Sequence, residues 1–220
     1  MAVDPRDLIQ GQVLYSGVYE PEVTQLFEQE LRPGDQFIDI GANVGYYSVL
    51  AQARGASVIA FEPDPLSAAV WRLNCRLNGA QDRMHLVQVG LGQTNGELPF
   101  HRTAVGNTGR SGFRTSDGIS CFTAAVQTLD ALAADLGLRA GAVWKMDVEG
   151  FEGEVLQGAR CSLARTPPRL VLFEAEERCT DPTPYQLLEQ CGYRIEHLPR
   201  QSGEREEKEN YIARRRDCLA

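Results

Sequence analysis

The sequence lacks the features that mark several large protein classes. No apolar run in its 220 residues is long enough to cross a bilayer. The opening segment, Met1-Ala2-Val3-Asp4-Pro5-Arg6-Asp7, has no apolar core like that of a signal peptide. Positive charge is scarce as well: 22 Lys and Arg against 30 Asp and Glu give a formal net charge of −8. That balance argues against a nucleic-acid partner, because affinity for a phosphate backbone comes largely from Lys and Arg. Arg214-Arg215-Arg216 is the one basic cluster, and its place near the C-terminus predicts a solvated end. The six cysteines (Cys75, Cys121, Cys161, Cys179, Cys191, Cys218) lie far apart without a C-x-x-C pair. Zinc is therefore not expected, and reduced, mostly buried thiols are. Cys218 is third from the end, so it forms no prenylation box. These absences predict a cytoplasmic protein with no membrane or nucleic-acid partner.

What is present is ordinary in bulk: 43% hydrophobic and 24% charged residues suit one sizeable folded domain. The informative stretch is Phe37-Ile38-Asp39-Ile40-Gly41-Ala42-Asn43-Val44-Gly45-Tyr46-Tyr47. Its apolar run reads as a strand buried on both faces, as in a parallel sheet. Two glycines make a turn into a helix over Tyr46 to Ala53. Strand, glycine turn and helix start suit an anionic or nucleoside ligand, although a plain βα turn uses the same residues. The spacing G-x-x-x-G departs from the G-x-G-x-x-G dinucleotide fingerprint.

Residues 1 to 34 form a lead-in with one short helix carrying Val23, Leu26, Phe27 and Leu31, stopped at Pro33-Gly34. Ser57 to Phe61 is a second buried strand ending at Glu62-Pro63-Asp64. Glu62, 17 residues past Gly45, is placed to accept hydrogen bonds from a ribose, while Asp64 caps the next helix. That helix shows Leu66, Val70, Leu73 and Leu77 at helical spacing and stops at Asn78-Gly79, with Trp71 assigned to packing. His85 to Val89 gives strand three. Residues 93 to 126, rich in Gly, Ser, Thr and Asn, predict hairpin strands around a mobile loop that covers a substrate site. His101 reads there as a surface residue.

A helix from Thr128 to Leu136 and a strand over Val143 to Met146 follow. Phe151, Val155, Ala159 and Leu163 line the next helix, and Leu170 to Phe173 is strand five. The capping-box sequence Thr183-Pro184-Tyr185-Gln186 starts a helix to Cys191. Tyr193 to Leu198 and Asn210 to Ala213 close the chain around a charged loop, Gln201 to Glu209, expected to be mobile. Strands alternating with helices and a final strand pair predict an α/β, doubly wound sheet with no second domain.

Three stretches together resemble one family. Phe37 to Gly45 is similar to the first motif of class I S-adenosylmethionine-dependent methyltransferases, and Phe61-Glu62-Pro63 to the second. Trp144-Lys145-Met146-Asp147-Val148-Glu149-Gly150-Phe151-Glu152 resembles the FkbM-type methyltransferases, and Tyr19-Glu20, Gly90-Leu91-Gly92 and Gly96-Glu97 fit that family too. The resemblance implies a Rossmann-like seven-stranded sheet in the order 3-2-1-4-5-7-6, with the last strand antiparallel. It implies a methyltransferase domain over residues 35–220 with an insert at 93–126. It also implies that Asp39, Gly41, Asn43 and Gly45 surround the methionine part of S-adenosylmethionine. Glu62 and Pro63 would lie at the ribose, Leu91 beside the adenine and Asp147 at the sulfonium end. The implied reaction is O-methylation of a small-molecule or glycan hydroxyl.

A hydroxyl acceptor must lose its proton, and Asp147, Glu149 and Glu174 are the strand-end carboxylates placed to take it. Three such groups also suit a divalent cation, but the sequence has no dedicated metal pattern and no metal is expected. A nicotinamide-dependent oxidoreductase and a cofactor-binding scaffold without catalysis are the competing readings. Nothing in the sequence specifies the acceptor or an oligomeric state.

Overall fold

The computed structural model describes residues 1–103, 108–115, 118–176, 180–200 and 208–216. Two helices, α1 (Leu8–Ser16) and α2 (Pro21–Glu30), precede β1 (Gln36–Ile40), α3 (Tyr46–Ala53), β2 (Ser57–Phe61), α4 (Pro65–Leu77) and β3 (Met84–Val87). A two-residue β4 (Gly90–Leu91) leads to β5 (Gly96–Arg102) and β6 (Ser120–Gln127). Then come α5 (Leu129–Leu132), β7 (Val143–Met146), α6 (Glu152–Gln157), α7 (Arg160–Arg165) and β8 (Leu170–Glu176). The chain closes with α8 (Thr183–Gln190), β9 (Tyr193–Leu198) and β10 (Lys208–Arg215).

Seven strands form one sheet in the order β3-β2-β1-β7-β8-β10-β9. The first five are parallel, and β10 runs antiparallel to both neighbours. Numbered within the sheet this is 3-2-1-4-5-7-6, as the resemblance implies. Strand alternation sends side chains to two cores. Ile38, Ile40, Trp144, Met146 and Phe173 pack beneath α6, α7 and α8, while Phe37, Val58, Val143 and Leu172 pack against α2, α3 and α4. β4, β5 and β6 make a small second sheet beside the carboxyl ends of the main strands.

Several local expectations need correction. The lead-in holds two helices and not one; α1 leaves no periodic signal in the sequence, because its apolar residues follow no single face. On α4 the leucine stripe faces outward: Leu66 and Leu77 are each 61% exposed, whereas Ala68, Trp71 and Cys75 are buried. Small residues and one indole fit close to the sheet where a leucine row would not. The helix expected from Phe151 to Leu163 is broken into α6 and α7 at Gly158-Ala159, where backbone meets backbone: a Cβ on Gly158 would lie 2.0 Å from the Gly92 carbonyl. Thr183 is already inside α8, and Asp181 accepts its N–H at 3.0 Å, so no capping box forms. α5 ends after one turn, although Thr128 does cap it.

The thiols and the basic run also differ from expectation. Of the four described cysteines, Cys121 and Cys161 are exposed; Cys179 and Cys218 lie outside the described residues. Arg214 sits in β10 and pairs with Glu30 at 2.8 Å and Glu196 at 3.3 Å, so the basic run is anchored. His101 is on β5, opposite Cys121. Of the segments expected to hold mobile loops, residues 104–107, 116–117 and 201–207 lie outside the described residues.

Candidate active site

The turn after β1 is shaped by three residues with positive φ: Gly41 at 76°, Asn43 at 48° and Gly45 at 88°. Gly41 has no room for a side chain, since a Cβ would stand 1.9 Å from the Asp147 carbonyl oxygen. The turn is tied to β2 by the Gly41 and Ala42 N–H groups, both donating to the Phe61 carbonyl at 3.0 Å. The strand ends of β1, β2 and β7 are thereby fixed side by side.

Glu62 is buried at this junction. One carboxylate oxygen accepts the Asn43 N–H and the other the Asp64 N–H, each at 2.8 Å. Burial raises its pKa from the ordinary 4.5 to about 7, against the lowering effect of those two bonds. Asp64 caps α4 through the Leu66 N–H, so the cap and the carboxylate are separate residues. A cavity is walled by Gly41, Asn43, Glu62, Pro63 and Leu91 below and by Phe100, Gly112 and Phe113 above. Asn43 has a buried side-chain oxygen without a partner. Asp39 and Gly45 border none of the described cavities. Asp39 instead lies beneath the turn, accepting the Ser48 hydroxyl at 2.5 Å, and Ser48 accepts the Trp71 indole N–H at 2.9 Å. Gly45 is covered by Trp71, with a Cβ position 2.6 Å from the ring.

Asp147 borders this cavity and also a second one of about 690 Å³. Tyr19 and Glu20 of the lead-in, Glu149, Glu174, Arg200 and Asn210 line the second. Oxygens of Asp147, Glu149 and Glu174 lie within 4.8 Å of one another, close enough for one cation. Cationic side chains already face them. Lys145 is 3.2 Å from Asp147, Lys208 is 2.6 Å from Glu149 and Arg200 is 3.9 Å from Glu174. Burial raises the pKa of Glu174 well above the carboxylate range, reinforced by Asp147 and Glu149. Burial and Asp147 also raise that of Glu149. For Lys145, burial works downward, but Asp147, Asp39 and Glu20 outweigh it and keep the ammonium charged. Glu174 lies within β8, paired with Asn210, and not at the strand end the sequence suggested.

Reading the sequence missed Lys145, Glu20, Lys208 and Arg200 as members of this cluster. Lys145 did carry a signal, a charge inside the apolar strand Val143 to Met146, and it is only 4% exposed. Glu20 has a sharper one in the structure. Its φ is +40° although it precedes Pro21, and Tyr47 and Asn210 donate to its carboxylate at 2.6 and 3.3 Å. Backbone held in such a region concentrates at functional sites.

Comparison with known proteins identifies the family and the fold. The Methyltransferase FkbM domain family matches residues 39–195. The chain is 30% identical over 156 residues to 2-O-methyltransferase NoeI of Sinorhizobium fredii, a match covering 61% of each protein. It is 28% identical over 178 residues to 31-O-demethyl-FK506 methyltransferase FkbM of Streptomyces tacrolimicus, covering 68% of each. The chain thus spans less than two thirds of the first relative's length. Among solved structures, methyltransferase FkbM from Methylobacillus flagellatus superposes with a TM-score of 0.58 at 16% identity, over 87% of this chain and 50% of that one. A precorrin-6y C5,15-methyltransferase from Geobacter metallireducens gives 0.55 at 14% identity, over 90% and 88%.

Proposed function

The chain belongs to the FkbM methyltransferase family and has the class I methyltransferase fold, and from that premise we propose that it moves a methyl group from S-adenosylmethionine to a hydroxyl oxygen of a small molecule or glycan. The observation that carries the proposal is the position of Asp147, on the wall shared by the strand-end cavity and the 690 Å³ pocket. The residues present fit the cofactor chemically. Glu62 offers free lone pairs beside the two N–H groups it already accepts, and the side-chain oxygen of Asn43 has no protein partner. Glu62 and Pro63 would hold the ribose, Leu91 would flank the base, and Gly41 and Asn43 would face the methionine end. Asp39 and Gly45 would support the turn from beneath.

S-adenosylmethionine supplies, when bound, an electrophilic methyl on a sulfonium. The protein's share is alignment, exclusion of water and removal of one proton. Asp147 is placed to accept the hydroxyl proton or to steady positive charge at the junction of the two cavities. Lys145 fixes its carboxylate in position from behind, at 3.2 Å. Burial, reinforced by the neighbouring Asp147 and Glu149, pushes the pKa of Glu174 upward beside Asp147. The second pocket lies within the ~300–1,000 Å³ usual for ligand sites, and its mixed carboxylate, amide and tyrosine walls suit a polyhydroxylated acceptor. The wider G-x-x-x-G spacing and the FkbM match weigh against a nicotinamide enzyme.

Calorimetric titration tests the cofactor assignment. S-adenosylmethionine should bind while nicotinamide dinucleotides do not, and Glu62→Gln should weaken binding by roughly 1.5–3 kcal/mol, because an amide cannot replace two charge-assisted acceptors. Equal affinity in Glu62→Gln, or preference for the dinucleotide, would overturn it.

A further inference from the structure

The cofactor cavity has a floor and a roof from different parts of the chain. Gly41 and Glu62 at the main strand ends, with Leu91 of β4, form the floor; Phe100, Gly112 and Phe113 form the roof. The roof is one hydrogen-bonded unit, because His101 and Gly112 exchange backbone bonds at 3.0 Å each. The Phe113 ring rests on Gly90, where a Cβ would lie 2.5 Å away, and meets Phe100 edge-on at 5.1 Å between centroids. With the roof in this position the cavity holds about 50 Å³. Ligand pockets start at about 300 Å³. The roof therefore has to lift for a nucleoside to enter, and something has to draw it back.

Arg102 follows His101 at the end of β5. Its guanidinium forks onto Asp64, Nε to Oδ2 at 2.7 Å and Nη2 to Oδ1 at 2.6 Å, and its Cζ lies over the Phe122 ring, 5.1 Å from the centroid. Asp64 is itself buried, and its N–H donates to one oxygen of Glu62 at 2.8 Å. One bidentate pair thus joins the roof to the segment that fixes the Glu62 carboxylate. A forked pair of this kind sets orientation as well as attraction.

We propose that Arg102 is a positioning residue for cofactor binding: its ion pair with Asp64 latches the β5–β6 roof over the bound nucleoside and holds Glu62 in its binding orientation. The proposal rests on the cofactor assignment above. A residue that merely staples the hairpin would affect melting and leave affinity alone. A latch affects affinity among folded molecules, chiefly through faster release.

The test uses S-adenosylhomocysteine as probe, with calorimetry for Kd, stopped flow for release and a thermal melt of the ligand-free protein. Arg102→Gln should raise Kd by about tenfold or more, the scale of a lost charge-assisted bond. Arg102→Lys, which keeps the charge but loses the fork, should raise it by less. A lower Tm with Kd within twofold of the unmodified protein in both variants overturns the latch. Should Arg102→Gln fail to fold, the Lys variant decides on the same twofold criterion. Failure of the unmodified chain to bind the probe overturns the cofactor assignment and the latch with it, whereas normal binding with unshifted variants overturns the latch alone.

Discussion

At the scale of single residues, Asp147 is the group most exposed to test. Among the described residues it is the one carboxylate bordering both cavities, and Lys145 orients it. Asp147→Asn keeps the shape and removes the charge. If Asp147 takes the acceptor's proton, kcat and kcat/KM should fall together by roughly 10²–10⁴-fold. A raised KM for S-adenosylmethionine with kcat retained would assign it to the cofactor instead. Unchanged kinetics would make it structural. Glu152 offers a test of opposite sign. It is buried, one oxygen accepts the Val148 and Gly150 N–H groups at 3.1 and 3.4 Å, and burial lifts its pKa from 4.5 to about 7. The folded state therefore holds the proton more tightly than the unfolded chain, so stability is lost as pH rises from about 4.5 through about 7. Glu152→Gln keeps an oxygen for both bonds and removes the buried charge. It should stabilise the protein at pH 8 by about 1–3 kcal/mol and have little effect near pH 5, as read by denaturant unfolding. Destabilisation at pH 8 would contradict this. Gly41, Glu62 and Asp147 were legible because each has a fixed place relative to a strand end. Glu20, Arg200 and Lys208 were not, because they reach the site only through folding of the lead-in and the last two strands.

At the scale of elements, strands were easier to read than helices. A parallel strand buried on both faces shows as an unbroken apolar run, and Ser57–Phe61 and Val143–Met146 have the bounds expected of them. Helix faces depend on what lies opposite. The leucines of α4 have the right spacing, yet the sheet accepts Ala68, Trp71 and Cys75 and leaves Leu66 and Leu77 outside. The break between α6 and α7 has no local signal beyond Gly158, whose role is set by Gly92, 66 positions away in sequence and in backbone contact. Gly158→Ala measures that contact. A helix-end glycine replaced by alanine usually stabilises a protein by about 0.4–1 kcal/mol. Here the added carbon meets a carbonyl 2.0 Å away, so a loss of about 2–4 kcal/mol is expected. A melting temperature at or above that of the unmodified protein would refute the backbone contact.

At the scale of the whole molecule, the topology was legible because alternating strands and helices, closed by a strand pair, leave few ways to build one sheet. The site follows from that topology. Parallel strands deliver their carboxyl ends to one edge, and ligands of such sheets lie there at the switch point, which β1 occupies between β2 and β7. What topology does not supply is the acceptor, since the second pocket is walled by the lead-in, β7, β8, β10 and Arg200, which follows β9. Methyl transfer itself is best tested by incubating the chain with methyl-labelled S-adenosylmethionine and a producer-cell extract, with and without a chelator, and identifying the labelled product. Label should enter a single hydroxyl-bearing small molecule or glycan as a methyl ether, with S-adenosylhomocysteine released in equal amount. The chelator should leave the rate unchanged, because Lys145, Lys208 and Arg200 already face the three carboxylates. Label that stays in S-adenosylmethionine across extracts that contain the acceptor of a working relative, or that appears on nitrogen or carbon, would contradict O-methyl transfer by this chain.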